Sequence, residues 1–146
     1  MKIEEHEKAY EEHLKNMKRI IDEGIEENQR NIGYNVSQGS VELFSIFLHK
    51  LHLIQGSGDQ LDHRIFKSKN LRERKLPSDF PSKKNILDIM KDIEEERNAL
   101  CYGSRKSRER IEKAIKLFQE LRRIKKSLCL FGTFGCSRNH LSSSLT

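Results

Sequence analysis

Arg97, Asn98 and Tyr102 stand close together in Glu94-Glu95-Glu96-Arg97-Asn98-Ala99-Leu100-Cys101-Tyr102-Gly103. An arginine a little over a helical turn from a tyrosine offers a planar cationic fork and a hydroxyl on adjacent faces. That pair suits a phosphodiester, which takes bidentate hydrogen bonds from a guanidinium. The same residues also read as an ordinary helix end. In that reading Gly103 stops the helix and Arg97 answers the C-terminal dipole and its glutamate neighbours.

The charge pattern around this segment is lopsided. The net charge is +6, yet the first stretch is acidic, with Glu4, Glu5, Glu7, Glu11, Glu12, Asp22, Glu23, Glu26 and Glu27. Beyond Gly103 the sign reverses, and Arg105, Lys106 and Arg108 open a long basic run. Arg97 with Arg105, Lys106 and Arg108 is therefore a candidate surface for a polyanion, RNA first among them. Intramolecular pairing of the basic run with the acidic one is the alternative. Arg72-Glu73-Arg74-Lys75 is a second basic cluster of the same double meaning.

Other chemistries have less to stand on. His49 and His52 are three apart and His63 follows beside Asp62; two imidazoles at that spacing can share a cation. No Glu-x-x-His pair accompanies them, so packing or hydrogen bonding is their expected use, and neither a metal nor a cofactor is expected. Cys101, Cys129 and Cys136 form no CxxC and are odd in number, which argues against a disulfide framework. The chain has no glycine-rich phosphate loop, nucleophile elbow or nucleotidyltransferase motif.

The elements that must position these residues are helical. Apolar residues recur at helical spacing over 2–28 (Ile3, Tyr10, Leu14, Met17, Ile25), over 82–101 (Ile86, Ile89, Ile93, Leu100) and over 105–128 (Ile111, Ile115, Phe118, Leu128). Residues 31–55 are apolar on more than one face, which marks a central helix in which Gly33 and Gly39 admit close neighbours. Leu61 to Lys69 reads as a short helix, followed by an irregular basic stretch to Pro81. Ser82 is the expected cap of the third long helix, and Ser104 or Ser107 of the fourth.

At 146 residues, with 35% hydrophobic and 34% charged content, the chain is expected to form one domain with a narrow apolar seam. The predicted fold is all-α: an antiparallel up-down four-helix bundle over 1–128, with a short extra helix and an irregular tail over 129–146. No apolar run approaches the ~20 residues that span a bilayer, and Met1-Lys2-Ile3-Glu4-Glu5 is not a signal peptide. A cytoplasmic location without membrane contact is the expectation.

Arg97-Asn98, three further residues and then the polar ring of Tyr102, at the end of a third long helix, resemble the HEPN superfamily. The likeness extends to the central helix around Tyr34-Asn35 and to the basic final helix, over about residues 5–128. In that family the arginine and a following polar residue precede a histidine, and Tyr102 occupies the histidine's place. The resemblance implies a bundle that dimerises with two motifs in one cleft. It implies either a non-catalytic module binding RNA or a nucleotide, or partnering a small nucleotidyltransferase, or else a metal-independent, toxin-like endoribonuclease. Arg97, Asn98 and Tyr102 would then be the catalytic set. An unperturbed tyrosine has a pKa near ~10 and is a poor base at neutral pH, so binding without cleavage is the expectation. A helical protein-interaction module that binds no nucleic acid is the remaining alternative.

Overall fold

The second helix is the axis on which the rest is hung. Its sequence alternates large apolar residues with Gly33, Ser37, Gly39, Ser40 and Ser45, all buried, so it carries both the filling for a core and the room for neighbours. The computed structural model of the chain describes residues 1–56 and 61–130. These residues form α1 (Ile3–Glu23), α2 (Gln29–Lys50), a 3-10 helix (His63–Lys67), α3 (Lys69–Lys75), α4 (Lys83–Cys101) and α5 (Arg108–Leu130), and no strand occurs among them. α2 packs against α1, α4 and α5, while α4 also packs against α5 and the 3-10 helix.

Two glycines set the approach distances. A Cβ on Gly33 would lie 2.8 Å from Leu100 Cβ and 3.0 Å from Cys101 Sγ, so α4 is drawn against α2 at the level of the Arg97 segment. A Cβ on Gly39 would meet His13 Cβ at 3.3 Å and the Phe118 ring at 3.4 Å. The expectation that these glycines admit neighbouring helices is met at both positions.

The long helices hold their expected order with shifted ends. α1 stops at Glu23 because Gly24, at φ 126°, turns the chain and its N–H closes on Ile20 O at 3.0 Å. Helix was expected to Ile54 and beyond, but α2 stops at Lys50. His52 adopts a left-handed φ of 57°, and the Leu53 N–H returns to Leu48 O, the closure of a Schellman cap. Ser82 precedes α4 as expected, but it is left-handed (φ 56°) and its hydroxyl makes no capping bond. At α5 the choice falls on Ser107, whose hydroxyl accepts from the Arg110 N–H at 3.3 Å. Cys129 and Leu130, expected in the tail, continue α5. The rest of that expected tail, residues 131–146 with Cys136, lies outside the described residues.

Residues 61–82, which lead into α4, are more ordered than their composition suggests. Ser68 accepts from the Leu71 N–H and starts α3, a helix expected to be irregular chain. Two phenylalanines anchor this stretch. Phe66 meets Phe44 edge-on with ring centres 5.6 Å apart, and Phe80 lies 5.6 Å from Phe44 and 6.1 Å from Phe47. This buried aromatic group presses the His63–Lys67 turn against α4.

Gly33→Ala is expected to destabilise the protein. The overpacking cost is about 1–3 kcal/mol, and the helix-propensity gain offsets at most about 1 kcal/mol of it. Gly39→Ala, whose neighbours stand farther off, should cost less. Urea unfolding of both variants measures the difference, and an unchanged Gly33→Ala midpoint would contradict the close packing of α2 on α4.

Candidate functional site

Glu94 organises the end of α4. Ile86, Ile89, Met90, Ile93 and Leu100 form the buried stripe of this helix, and Glu94, next to Ile93, is carried inward with it to 1% exposure. A buried carboxylate is costly unless it is paired and hydrogen-bonded. Glu94 has four partners from three elements. The His63 imidazole Nδ1 lies 2.8 Å from Oε1, the Ser37 hydroxyl donates to Oε2 at 3.3 Å, Lys67 Nζ lies 3.6 Å from Oε1, and Arg97 Nη1 lies 3.9 Å from Oε1. Lys67 also donates to Asn98 Oδ1 at 3.1 Å.

Helix spacing explains the assembly. Glu94, Arg97 and Asn98, at i, i+3 and i+4, share one face of α4, and the 3-10 helix lays His63 and Lys67 across it. Arg97 is 12% exposed at its side chain, and its Nε is buried without a hydrogen-bond partner. His63 is 18% exposed; beyond its bond to Glu94, its Nε2 has Asp62 Oδ1 at 3.8 Å. Arg64 takes the Asp62 carboxylate through two guanidinium hydrogen bonds and holds its pKa down to about 2. Two permanent cations, Lys67 and Arg97, thus share one carboxylate with an imidazole, and the edge keeps a positive surplus.

The other two glutamates of the run face elsewhere. Glu96 is buried on the α5 side, where Arg110 Nε donates to it at 2.9 Å and Lys113 Nζ at 3.1 Å. Glu95 is exposed and pairs with Lys91 at 3.7 Å.

Tyr102 closes α4 on extended backbone and is 62% exposed. Tyr34 of α2 is also exposed, and its ring meets His13 of α1 edge-on with centres 5.9 Å apart. The loop beyond Tyr102 is held from the start of α2. Arg30 donates to Cys101 O and Gly103 O, and Gln29 donates to Leu100 O and Ser104 O while accepting from the Lys106 N–H. A cleft of about 500 Å³ lies here, lined by 27–31 and 103–105.

The residues assigned from sequence therefore separate. Arg97 and Asn98 meet in one cluster, and Tyr102 stands at the exposed end of the same helix. Arg105 donates to Glu26 O, and Arg108 is bonded to Glu112 and Glu26, which raise its pKa. Lys106 donates through its backbone to Gln29 and through its ammonium to Ser104. Arg105 and Arg108 thus brace the α1–α2 turn at Glu26, and Lys106 the start of α2 at Gln29. Sequence reasoning did not find Glu94, Lys67 or Arg30 as site residues. The only signal was Glu94 at i−3 from Arg97, because His63 and Lys67 come from a distant segment. His49 and His52 do not form the expected i, i+3 pair, since the helix ends between them and His52 is left-handed. Among the described residues no group of three His, Cys, Asp or Glu is placed to hold a metal ion.

Glu94→Ala should cost about 3–5 kcal/mol, because it strands His63, Lys67 and Arg97 around a vacated buried position. Glu95→Ala, one residue away but exposed, should stay within about 0.5 kcal/mol of wild type. Equal effects of the two substitutions in chemical denaturation would refute the hub role of Glu94.

No family model, no curated protein and no solved structure matches the chain.

Proposed function

We propose that the chain is a HEPN-like module, folded as an antiparallel up-down four-helix bundle, that binds RNA or a nucleotide without cutting it. The observation that carries this reading is the positive surplus around Glu94: Lys67 and Arg97 share one carboxylate at a partly open edge, beside Asn98. A phosphate approaching that edge gains charge-assisted hydrogen bonds. The exposed Tyr102, at the end of the same helix as Arg97 and Asn98, offers a ring on which a base can stack, at a gain of about 1–3 kcal/mol. The resemblance further implies a homodimer that joins two such edges in one cleft, and a small nucleotidyltransferase is the partner protein that fits it. Light scattering at micromolar concentration should return a dimer.

A second reading, a metal-independent endoribonuclease, is favoured by one observation. The family's histidine is absent from the place of Tyr102, but His63 brings an imidazole to the Arg97 cluster from another segment. Its Nδ1 is paired with Glu94, which orients Nε2 as the ring atom available for proton transfer. In that reading the ribose 2′-hydroxyl loses its proton to His63 as its oxygen attacks phosphorus. Arg97 offsets the phosphorane charge, and the departing 5′-oxygen takes a proton from Tyr102 or water.

Binding and cleavage of labelled single-stranded RNA in chelator separate the readings. Wild type is expected to bind RNA, with affinity falling steeply with salt, and to leave the RNA intact. Arg97→Gln or Lys67→Gln should weaken binding about tenfold, as loss of a charge-assisted contact does, whereas Arg108→Gln should change stability more than affinity. Cleavage abolished by His63→Gln and Arg97→Gln alike, with RNA affinity kept in His63→Gln, would establish the nuclease. Absence of RNA binding at low salt would leave a protein-interaction module.

A further inference from the structure

We propose that the C-terminal half of α5, with Lys50 of α2 and Tyr10 of α1, forms a site for an oligophosphate group, separate from the Arg97 edge and independent of the function assigned there. A cavity of about 680 Å³ opens between these three helices, a size typical of small-molecule sites. Lys50, Arg122, Arg123, Lys125 and Lys126 line it, and Tyr10 and Leu43 add apolar surface.

Among the described residues, the cations of this cavity form no ion pair with a carboxylate. α5 changes character along its length. In its first half Arg108, Arg110 and Lys113 are each paired with a carboxylate, from Glu26, Glu112 or Glu96. In its second half no carboxylate lines the cavity, and none of its five cations forms an ion pair among the described residues. From Leu121 to Thr146 the sequence carries no Asp or Glu at all. The cations are nonetheless crowded. Lys125 Nζ lies 5.8 Å from the centre of the Tyr10 ring, and burial raises the Tyr10 pKa against the opposing charge of Arg122. Burial first, and then the charges of Lys50 and Arg122, push the Lys125 ammonium down to about 8; Glu7 and Cys129 oppose that shift.

Crowded like charges around a concave surface are relieved by a compact ligand with several negative charges of its own. Two guanidinium forks and three ammonium groups match clustered phosphate oxygens better than a single carboxylate does. The shared chemistry is a chain of linked phosphates, whose source is either an inorganic polyphosphate or the phosphate tail of a nucleoside triphosphate.

Calorimetry on the full chain at low salt, with sodium tripolyphosphate and with ATP as probes, tests the site. Tripolyphosphate is expected to bind. Arg122→Gln and Lys125→Gln, and the exposed-site variant Lys50→Gln, should each weaken it about tenfold, while Arg108→Gln leaves it unchanged. Equal affinities for the two probes identify the phosphate chain as the ligand, and ATP binding at least tenfold tighter identifies a nucleotide whose base uses the Tyr10 and Leu43 surface. Wild-type affinity should fall as pH rises through and above about 8, where Lys125 loses its proton, and Lys125→Gln should lack that step. The groups facing Lys125 are Glu7 and Tyr10 of α1, Lys50 of α2, and Arg122 and Cys129 of α5. No binding of either probe at millimolar concentration would overturn the proposal, as would an equal loss in Arg108→Gln, which would reduce the effect to net charge.

Discussion

The buried carboxylate of Glu94 is the constraint to which the functional end of the molecule answers. Removing such a group from water costs several kcal/mol, and only well-placed partners recover it. α4 alone cannot supply them, because its only nearby cation on that face is Arg97, whose Nη1 stays 3.9 Å away. The remaining partners come from α2, which gives the Ser37 hydroxyl, and from the segment between α2 and α4, which gives His63 and Lys67. Docking of the His63–Lys67 turn is therefore a condition of burying Glu94, as well as a consequence of packing Phe66 against Phe44. The apolar anchor and the polar hub act on opposite ends of one short turn, and together they fix its position.

That arrangement depends in turn on how near α4 comes to α2. The Ser37 hydroxyl reaches Glu94 only because the α2 face at 33 and 37 has no bulk. Gly33 brings Leu100 and Cys101 against the backbone of α2, and Ser37, one turn on, contributes a donor small enough for the space left. The small residues of α2 thus serve the core and the site at once. Larger residues would push α4 away, and Glu94 would lose a hydrogen bond it cannot replace from water.

What could be read in the sequence follows from where the information lies. Long helices declare themselves by apolar stripes, so α4 and α5 were legible to within a few residues, and the apolar residues around α2 marked it as central. α3 was not legible because none of its residues is buried, and a helix without a buried face leaves no stripe. The early end of α2 was hidden because a histidine takes the left-handed position usually given to glycine. In the site, Arg97 and Asn98 stood out as neighbours in the chain. Their partners His63 and Lys67 did not, since tertiary packing alone brings those two residues to α4.

Basic composition, finally, was a poor guide to basic surface. Arg108 belongs to the most conspicuous cationic cluster in the sequence, yet the Glu26 and Glu112 carboxylates take up its hydrogen bonds. Lys67 lies in an unremarkable stretch, and it ends beside Arg97 with only a shared carboxylate between them. A polyanion responds to charge left over after internal pairing, since a cation already facing a carboxylate presents little net field beyond the Debye length of about 8–10 Å. Along α5 that remainder rises from the paired first half to the unpaired second half. The glutamates within reach account for the difference: Glu96 of α4, Glu112 of α5 and Glu26 of the α1–α2 turn meet the start of α5, while among the described residues Glu7 is the carboxylate that acts on Lys125 at the other end. The charge presented along α5 is thus set by which glutamates its neighbours bring to it, above all Glu96 of α4, more than by the number of lysines and arginines that α5 contains.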